Sequence, residues 1–121
     1  MKVVTAPPPV KVLVPTGRAD GGSTLSEREV TFALFLRQCI KMNDMFKRGP
    51  KNARAYKNLC EILESVTPEQ KDLSFGDDDF LKVKASVDGA TWMTAEINAA
   101  YVPFYDAVDA VKDIPNPDGK K

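Results

Sequence analysis

The densest run of apolar residues lies between Val30 and Leu36, where only one of seven positions is polar. On a helix with 3.6 residues per turn these side chains cover nearly the whole circumference, so this part of a helix has to be buried on several sides. Ser26 and Glu29 have the S-x-x-E spacing of a capping box, which satisfies backbone amides at the start of a helix. The pattern therefore predicts a long first helix that begins at Ser26 and ends at the breaker Gly49-Pro50.

Later segments repeat apolar residues at every third or fourth position, which is typical of helices with one buried face. Tyr101, Phe104 and Tyr105 lie close together at the end of this pattern and are expected in the core. The predicted later elements are a helix from Lys51 to about Val66, a short helical turn that starts at Thr67-Pro68-Glu69-Gln70, a helix capped at Ser74 with Asp77–Asp79 in its first turn and stopped by Asp88-Gly89, a helix capped by Thr91 or Thr94, and a last helix from Pro103 through Val111.

The N-terminal segment is predicted to be extended. The prolines Pro7–Pro9 are incompatible with a helix interior, and apolar residues alternate at Val10, Val12 and Val14 as in a short strand. These three valines are the candidate contacts of an arm that is either disordered on its own or laid on a neighbouring molecule.

Together the patterns predict a mainly α fold, with four to five helices in a small bundle and an extended or short β-like N-terminal arm. A chain of 121 residues with 43% hydrophobic residues suits one domain with one core. The expected organisation is an arm over residues 1–25, a helical domain over 26–113 and a flexible tail over 114–121.

Charge is balanced over the whole chain but segregated along it. The 17 basic and 17 acidic residues give a formal net charge of zero, so the molecule as a whole exerts no long-range attraction on nucleic acid or membranes. Acidic residues predominate after Asn58, whereas a basic cluster surrounds the junction of the first two helices. This cluster, the basic elbow, consists of Arg37, Lys41, Lys47, Arg48, Lys51, Arg54 and Lys57. It is either a solvated helix surface or a binding surface for phosphate groups or an acidic protein.

Several kinds of chemistry are excluded by composition. The chain contains no histidine, which excludes histidine-based acid–base catalysis, a Ser-His-Asp triad and histidine metal ligands. Its two cysteines form no C-x-x-C pair, and neither common phosphate-binding glycine motif is present. The run Asp77–Asp79 lacks the spacing of an EF-hand and is interpreted as favouring a helix start. We therefore expect no enzyme activity, no cofactor and no metal.

The cysteines and the N-terminus bear on the compartment. Cys39 and Cys60 fall on the apolar sides of two helices predicted to pack together, so buried thiols are expected rather than a disulfide. No apolar run reaches the length of about 18 residues that a membrane span needs, and Pro7–Pro9 occupy the place of a secretory signal's apolar stretch. These features predict a cytoplasmic protein without membrane contact.

Two short patterns, a T-L followed by V and a D-L-S followed by D and K, are formed by Thr24, Leu25, Val30, Asp72, Leu73, Ser74, Asp78 and Lys82. With these patterns, the order of elements over residues 10–111 resembles that of small tailed-bacteriophage proteins, although the spacing in the first pattern differs. The resemblance implies an accessory or virion-associated role, in the host cytoplasm or in the virion. It assigns no functional residue.

The function that the sequence favours is non-enzymatic protein–protein contact, in an oligomer or as a component of a larger phage-type assembly. The partner would be a second copy of the chain or another protein of that assembly. The alternative is a small nucleic-acid-binding regulator that places the basic elbow on phosphates. A third possibility is an inhibitor of a host enzyme that mimics nucleic acid with Asp77–Asp79 and their neighbours.

Overall fold

A computed structural model describes residues 1–17, 23–67, 70–92 and 94–113 of the chain. The described part is mainly helical, with five α-helices and short antiparallel strands, which confirms the predicted class; the bundle arrangement stays a prediction. The elements in chain order are β1 (Lys2–Thr5), β2 (Val10–Gly17), β3 (Ser23–Val30), α1 (Phe32–Met42), a 3₁₀ turn (Asp44–Lys47), α2 (Gly49–Glu64), β4 (Asp72–Phe75), α3 (Asp77–Gly89), α4 (Ala95–Ala100), α5 (Val102–Asp109) and β5 (Lys112–Asp113).

The predicted start of the first helix at Ser26 is wrong. Ser26 lies in β3, which pairs along its whole length with β2 in an antiparallel hairpin. The helix instead begins after Thr31, whose hydroxyl accepts the amide of Leu34 at 3.2 Å and so caps it. In an antiparallel hairpin, the amide and carbonyl of every second residue form hydrogen bonds with the opposite strand. Together these bonds stabilise the chain more than the few hydrogen bonds of a capping box.

The predicted single helix is also divided near its end. α1 stops at Met42 because Asn43 has an extended backbone, and the Asn43 side chain then caps the 3₁₀ turn by accepting the amide of Met45 at 3.0 Å. Gly49 has a φ of +77°, a conformation that an L side chain rarely adopts, and it opens α2. The basic elbow therefore contains a turn as well as the two helices.

The later helices agree in part with the sequence prediction. α3 runs from Asp77 to Gly89 with all three aspartates in its first turn, as predicted, but the cap at Ser74 is wrong, because Ser74 lies in β4 and Gly76 precedes the helix. Of the two candidate caps, Thr94 is the one used, since its hydroxyl accepts the amide of Ile97 at 3.1 Å. Pro103 lies in the first turn of α5, the position at which its missing amide is harmless. Part of the turn predicted at residues 67–70 lies outside the described residues.

The N-terminal arm is paired into the body of the protein. β1 is the middle strand of the sheet β4-β1-β5, with Val4 opposite Leu73 and Lys2 opposite Asp113. The predicted division at residue 25 falls inside β3, so the hairpin joins the predicted arm to the predicted helical domain. The predicted tail lies outside the described residues.

The core is built around the ring of Phe35, which has no exposed surface. The rings of Phe32, Trp92, Tyr101, Phe104 and Tyr105 surround it, with centroids 4.9–6.2 Å from its own. The predicted enclosure of the early apolar run is confirmed for Phe32, Phe35 and Leu36, and Tyr101 and Phe104 are core residues as expected. Leu34 differs, because it points outward and is 38% exposed.

Both cysteines are free thiols, which confirms the expectation that they form no disulfide. Cys39 is fully buried in α1, and this burial raises the pKa of its thiol to about 12. Cys60 on α2 is only half-buried, and its sulfur lies against the hydroxyl of Tyr56.

Candidate interaction surfaces

The basic elbow is solvent-exposed at all seven positions, but two of its members already have acidic partners. Arg37 on α1 forms an ion pair with Glu64 near the end of α2, with 3.2 Å between Nη2 and Oε2. Lys47 in the 3₁₀ turn pairs with Asp44 at 3.1 Å. Such exposed pairs are solvated and individually contribute little to stability, so they can exchange partners readily.

Three further cations of the basic elbow follow one side of α2. Lys51, Arg54 and Lys57 recur at every third residue, and all three are exposed, whereas Leu59 and Leu63 are buried on another side of the helix. This arrangement is a solvated charged surface. Phosphate binding by the basic elbow stays a prediction.

Two of the three valines of the N-terminal arm face the core of their own chain. Val12 is buried in the core of its own chain, and Val10 packs against that core from the edge. α4 lies against β2, so the surface that covers this strand is intramolecular. Val12 is thus unavailable to another molecule in this fold, and the side chain of Val14 lies outside the description.

The aspartates at the start of α3 have partners within the chain. Asp77 lies 3.3 Å from the N-terminal ammonium of Met1, and Asp79 accepts a hydrogen bond of 2.9 Å from the side-chain amide of Asn58. These contacts tie the start of α3 to β1 and α2. Among residues 1–17, 23–67, 70–92 and 94–113, no three potential ligands of the types His, Cys, Asp and Glu come together as in a metal site.

A shallow cavity of about 270 Å³ separates α3 from α5, and carboxylates stand at its edge. Lys84 bridges Asp88 at 3.5 Å and Asp109 at 3.3 Å, and the hydrogen bond to Asp109 raises the pKa of Lys84. Tyr105 closes the other side, where its hydroxyl accepts a hydrogen bond of 2.9 Å from the indole of Trp92 and donates one to Asn98. The polar groups of this cavity satisfy one another.

A second groove, of about 390 Å³, runs beside the proline segment. Its lining is largely apolar and includes Pro7–Pro9, Thr31, Ala33 and Lys71. Phe32 also borders it but is 2% exposed, and no carboxylate belongs to the described lining. The early apolar run therefore does not form one wall of an acid–base site.

The feature that the sequence analysis missed is a pair of outward-facing leucines. Leu81 on α3 is 64% exposed, and three aspartates outnumber one lysine around it. We call these surroundings the acidic face: Asp77, Asp78, Leu81, Lys84, Ala85 and Asp88. Leu34 on α1 is flanked by cations, and we call this second surface the basic face: Leu34, Arg37 and Lys41. The sequence contains a signal for the acidic face, because Asp77 and Asp78 lie one helical turn before Leu81 and Asp88 lies two turns after it.

No protein-family model, no curated protein and no solved structure matches this chain. Within the described part of the chain, none of the helices has both the length and the apolar character that crossing a membrane requires.

Proposed function

We propose that this chain works through protein–protein contact, as a component of a larger assembly, and not as an enzyme. The observation that carries the proposal is the exposure of Leu81, an apolar side chain left 64% exposed at the centre of a charged surface. Single exposed apolar residues are common, but this one is framed by three carboxylates on the same side of one helix. An apolar centre with a charged rim is the composition of a protein-binding surface.

The energetics favour contact through such a surface. Full burial of a leucine side chain contributes about 1.5–3 kcal/mol relative to its exposed state. The surrounding charges contribute less to affinity, but they steer a partner of opposite charge and fix its orientation. A partner suited to Leu81 therefore presents an apolar side chain among cations.

The cavities support catalysis less well than the exposed surface around Leu81 supports protein contact. The carboxylates Asp88 and Asp109 are exposed, and both are paired with Lys84. The groove beside the proline segment offers Lys71 as its only titratable side chain among the described lining residues. Acid–base catalysis needs a positioned proton donor or acceptor facing the substrate, and neither cavity pairs one with an enclosed binding space.

The resemblance to phage accessory proteins is in keeping with an assembly role. Proteins of that kind contribute surfaces to larger particles, and a small rigid domain with exposed apolar side chains is suited to that role. The compact core around Phe35 supplies that rigidity.

Photo-crosslinking tests the proposal. A photoreactive leucine analogue is placed at position 81, and the same analogue is placed at the exposed Ala99 of α4 as a control. After irradiation in a lysate of the cells in which the chain is naturally made, we expect discrete protein adducts at position 81 and few at position 99. The absence of protein adducts at position 81, or adducts to nucleic acid alone, would overturn the proposal.

A second candidate function is nucleic-acid binding, which is favoured by the row Lys51, Arg54 and Lys57 on exposed α2. Neutralising several phosphates makes binding strongly dependent on salt, because condensed counterions are released. Titration of labelled DNA and RNA at low and physiological salt tests this candidate. Affinity that falls steeply with salt supports it, and absent or salt-independent binding removes it.

A further inference from the structure

From the two leucine-centred surfaces, we infer that the partner of the acidic face is a second copy of this chain, which presents its basic face. The inference rests on the proposed function and names its partner. It follows from the charge complementarity of the two faces, since one carries Arg37 and Lys41 around Leu34 and the other carries three aspartates against the single cation Lys84 around Leu81.

The spacing of the charges along the two helices suits this contact. In α1, Arg37 and Lys41 lie three and seven residues after Leu34, which is about 4.5 Å and 10.5 Å along the helix axis. In α3, Asp78 lies three residues before Leu81 and Asp88 lies seven residues after it, at the same axial distances.

When the two leucines are in contact, both helix directions therefore place opposite charges together. Parallel helices bring Lys41 opposite Asp88, and antiparallel helices bring Arg37 opposite Asp78. The parallel direction also brings Arg37 opposite Lys84, which lies three residues after Leu81, so the antiparallel direction is the one in which no like-charged pair of these residues faces each other.

The two faces cannot meet within one molecule. α1 and α3 pack against each other, with Cys39 and Ser86 among the buried residues of the packed sides. Leu34 and Leu81 lie on the outward sides of these helices, so the basic face and the acidic face lie on opposite sides of the α1–α3 pair.

A contact between two different faces is heterologous, and each copy retains one face for the next copy. Such contacts generate closed rings if the rotation closes and open chains if it does not. The ion pair between Arg37 and Glu64 does not prevent the contact, because both side chains are about half exposed and the pair is readily exchanged. The copies consequently associate head to tail. The charges around the two leucines restrict which surfaces can pair.

Two complementary variants test the inference in purified full-length protein. Leu81→Lys disables the acidic face and leaves the basic face intact, and Lys41→Glu weakens the basic face at an exposed position. Leu34→Asp is a stronger variant of the basic face. Sedimentation velocity measures the assembly state, and circular dichroism with urea denaturation establishes that each variant is folded.

Each variant alone is expected to weaken self-association by about tenfold or more. A mixture of Leu81→Lys with Leu34→Asp is expected to form a one-to-one dimer that grows no further, because only one intact interface is possible between them. Leu13→Lys, which changes an exposed leucine of the hairpin, is the matched control and is expected to assemble like the unmodified chain.

The inference is overturned if the unmodified chain is a monomer, if the mixture stays monomeric, or if Leu13→Lys abolishes assembly as fully as Leu81→Lys does. A monomeric chain whose position 81 is crosslinked to a different protein overturns the inference and supports the proposed function. A monomeric chain that gives no crosslinks at position 81 overturns both.

Discussion

The side-chain amide of Asn43 donates a hydrogen bond to the hydroxyl of Ser86, with 2.9 Å between the two atoms. The Ser86 hydroxyl in turn donates to the carbonyl of Lys82 at 2.8 Å, and Ser86 is 2% exposed. This chain of hydrogen bonds joins the residue that ends α1 to the middle of α3. It therefore fixes the two helices that carry the basic face and the acidic face relative to each other.

Replacing Asn43 with alanine is expected to destabilise the protein by about 1–3 kcal/mol, because the cap of the 3₁₀ turn is lost and the Ser86 hydroxyl loses its donor. Urea denaturation measures the change in the free energy of unfolding. Asn52→Ala is the matched control, since the Asn52 side chain donates an exposed hydrogen bond to the carbonyl of Arg48 in its own helix region. Equal effects of the two substitutions would contradict the role assigned to Asn43.

β1 is expected to be a structural strand, because Val4 is 1% exposed and pairs with Leu73 at the centre of the sheet. Val4→Ala should lower the free energy of unfolding by about 1–2.5 kcal/mol, through lost burial and a small cavity. Val102→Ala, at a position 47% exposed, removes the same atoms and should cost less than about 0.5 kcal/mol. A Val4→Ala protein as stable as Val102→Ala would indicate that the N-terminal strand is not part of the core.

The pairing of β1 with β5 is expected to appear in the titration of Asp113. The hydrogen bond from Lys2, together with its charge, holds the pKa of Asp113 below its usual range, and the N-terminal ammonium acts in the same direction. The folded pKa is depressed, so the associated stability is present above the unfolded pKa and is lost as pH falls through the folded pKa. Lys2→Ala should raise the pKa of Asp113, as followed by carboxylate NMR.

Lys112→Ala is the control for that titration, because Lys112 neighbours Asp113 in the sequence but is opposite Val3 in the sheet. It should leave the pKa of Asp113 nearly unchanged. An Asp113 pKa that responds equally to both substitutions would show that general charge, and not the pairing with β1, sets its value.

The two thiols are expected to react at very different rates. Cys39 is fully buried and its pKa is raised to about 12, so almost none of it is thiolate at mildly alkaline pH. Half-buried Cys60 should be alkylated by iodoacetamide first, and Cys39 only after urea unfolds the protein. Mass spectrometry of digested protein gives the order, and early modification of Cys39 in folded protein would contradict the burial described for α1.

Much of the helical part could be predicted from sequence because its signals are local. Residues within one or two turns determine the end of α3, the Thr94 cap and the place of Pro103 in α5. Of the strands, β2 was predicted from its alternating valines. The sheet β4-β1-β5 could not be predicted in this way, because β1 pairs with β4 and β5 across most of the chain. The capping-box pattern at Ser26 was misleading for this reason, since the pairing partner lies in another segment.

The candidate surfaces were predictable only in part. Exposure of the basic elbow follows from the cost of burying unpaired cations, and the structure agrees at every position. The ion pair of Arg37 with Glu64 depends on how α1 packs against α2. The spacing of apolar residues in the sequence does not determine that packing. The outward position of Leu81 likewise depends on how α3 packs against α1.

The most direct test of the account is sedimentation velocity of the unmodified chain over a wide concentration range, at low and at high salt. We predict species larger than the monomer that grow with concentration and diminish as salt screens the charges of the basic face and the acidic face. A single monomeric species at every concentration and salt would contradict the head-to-tail association.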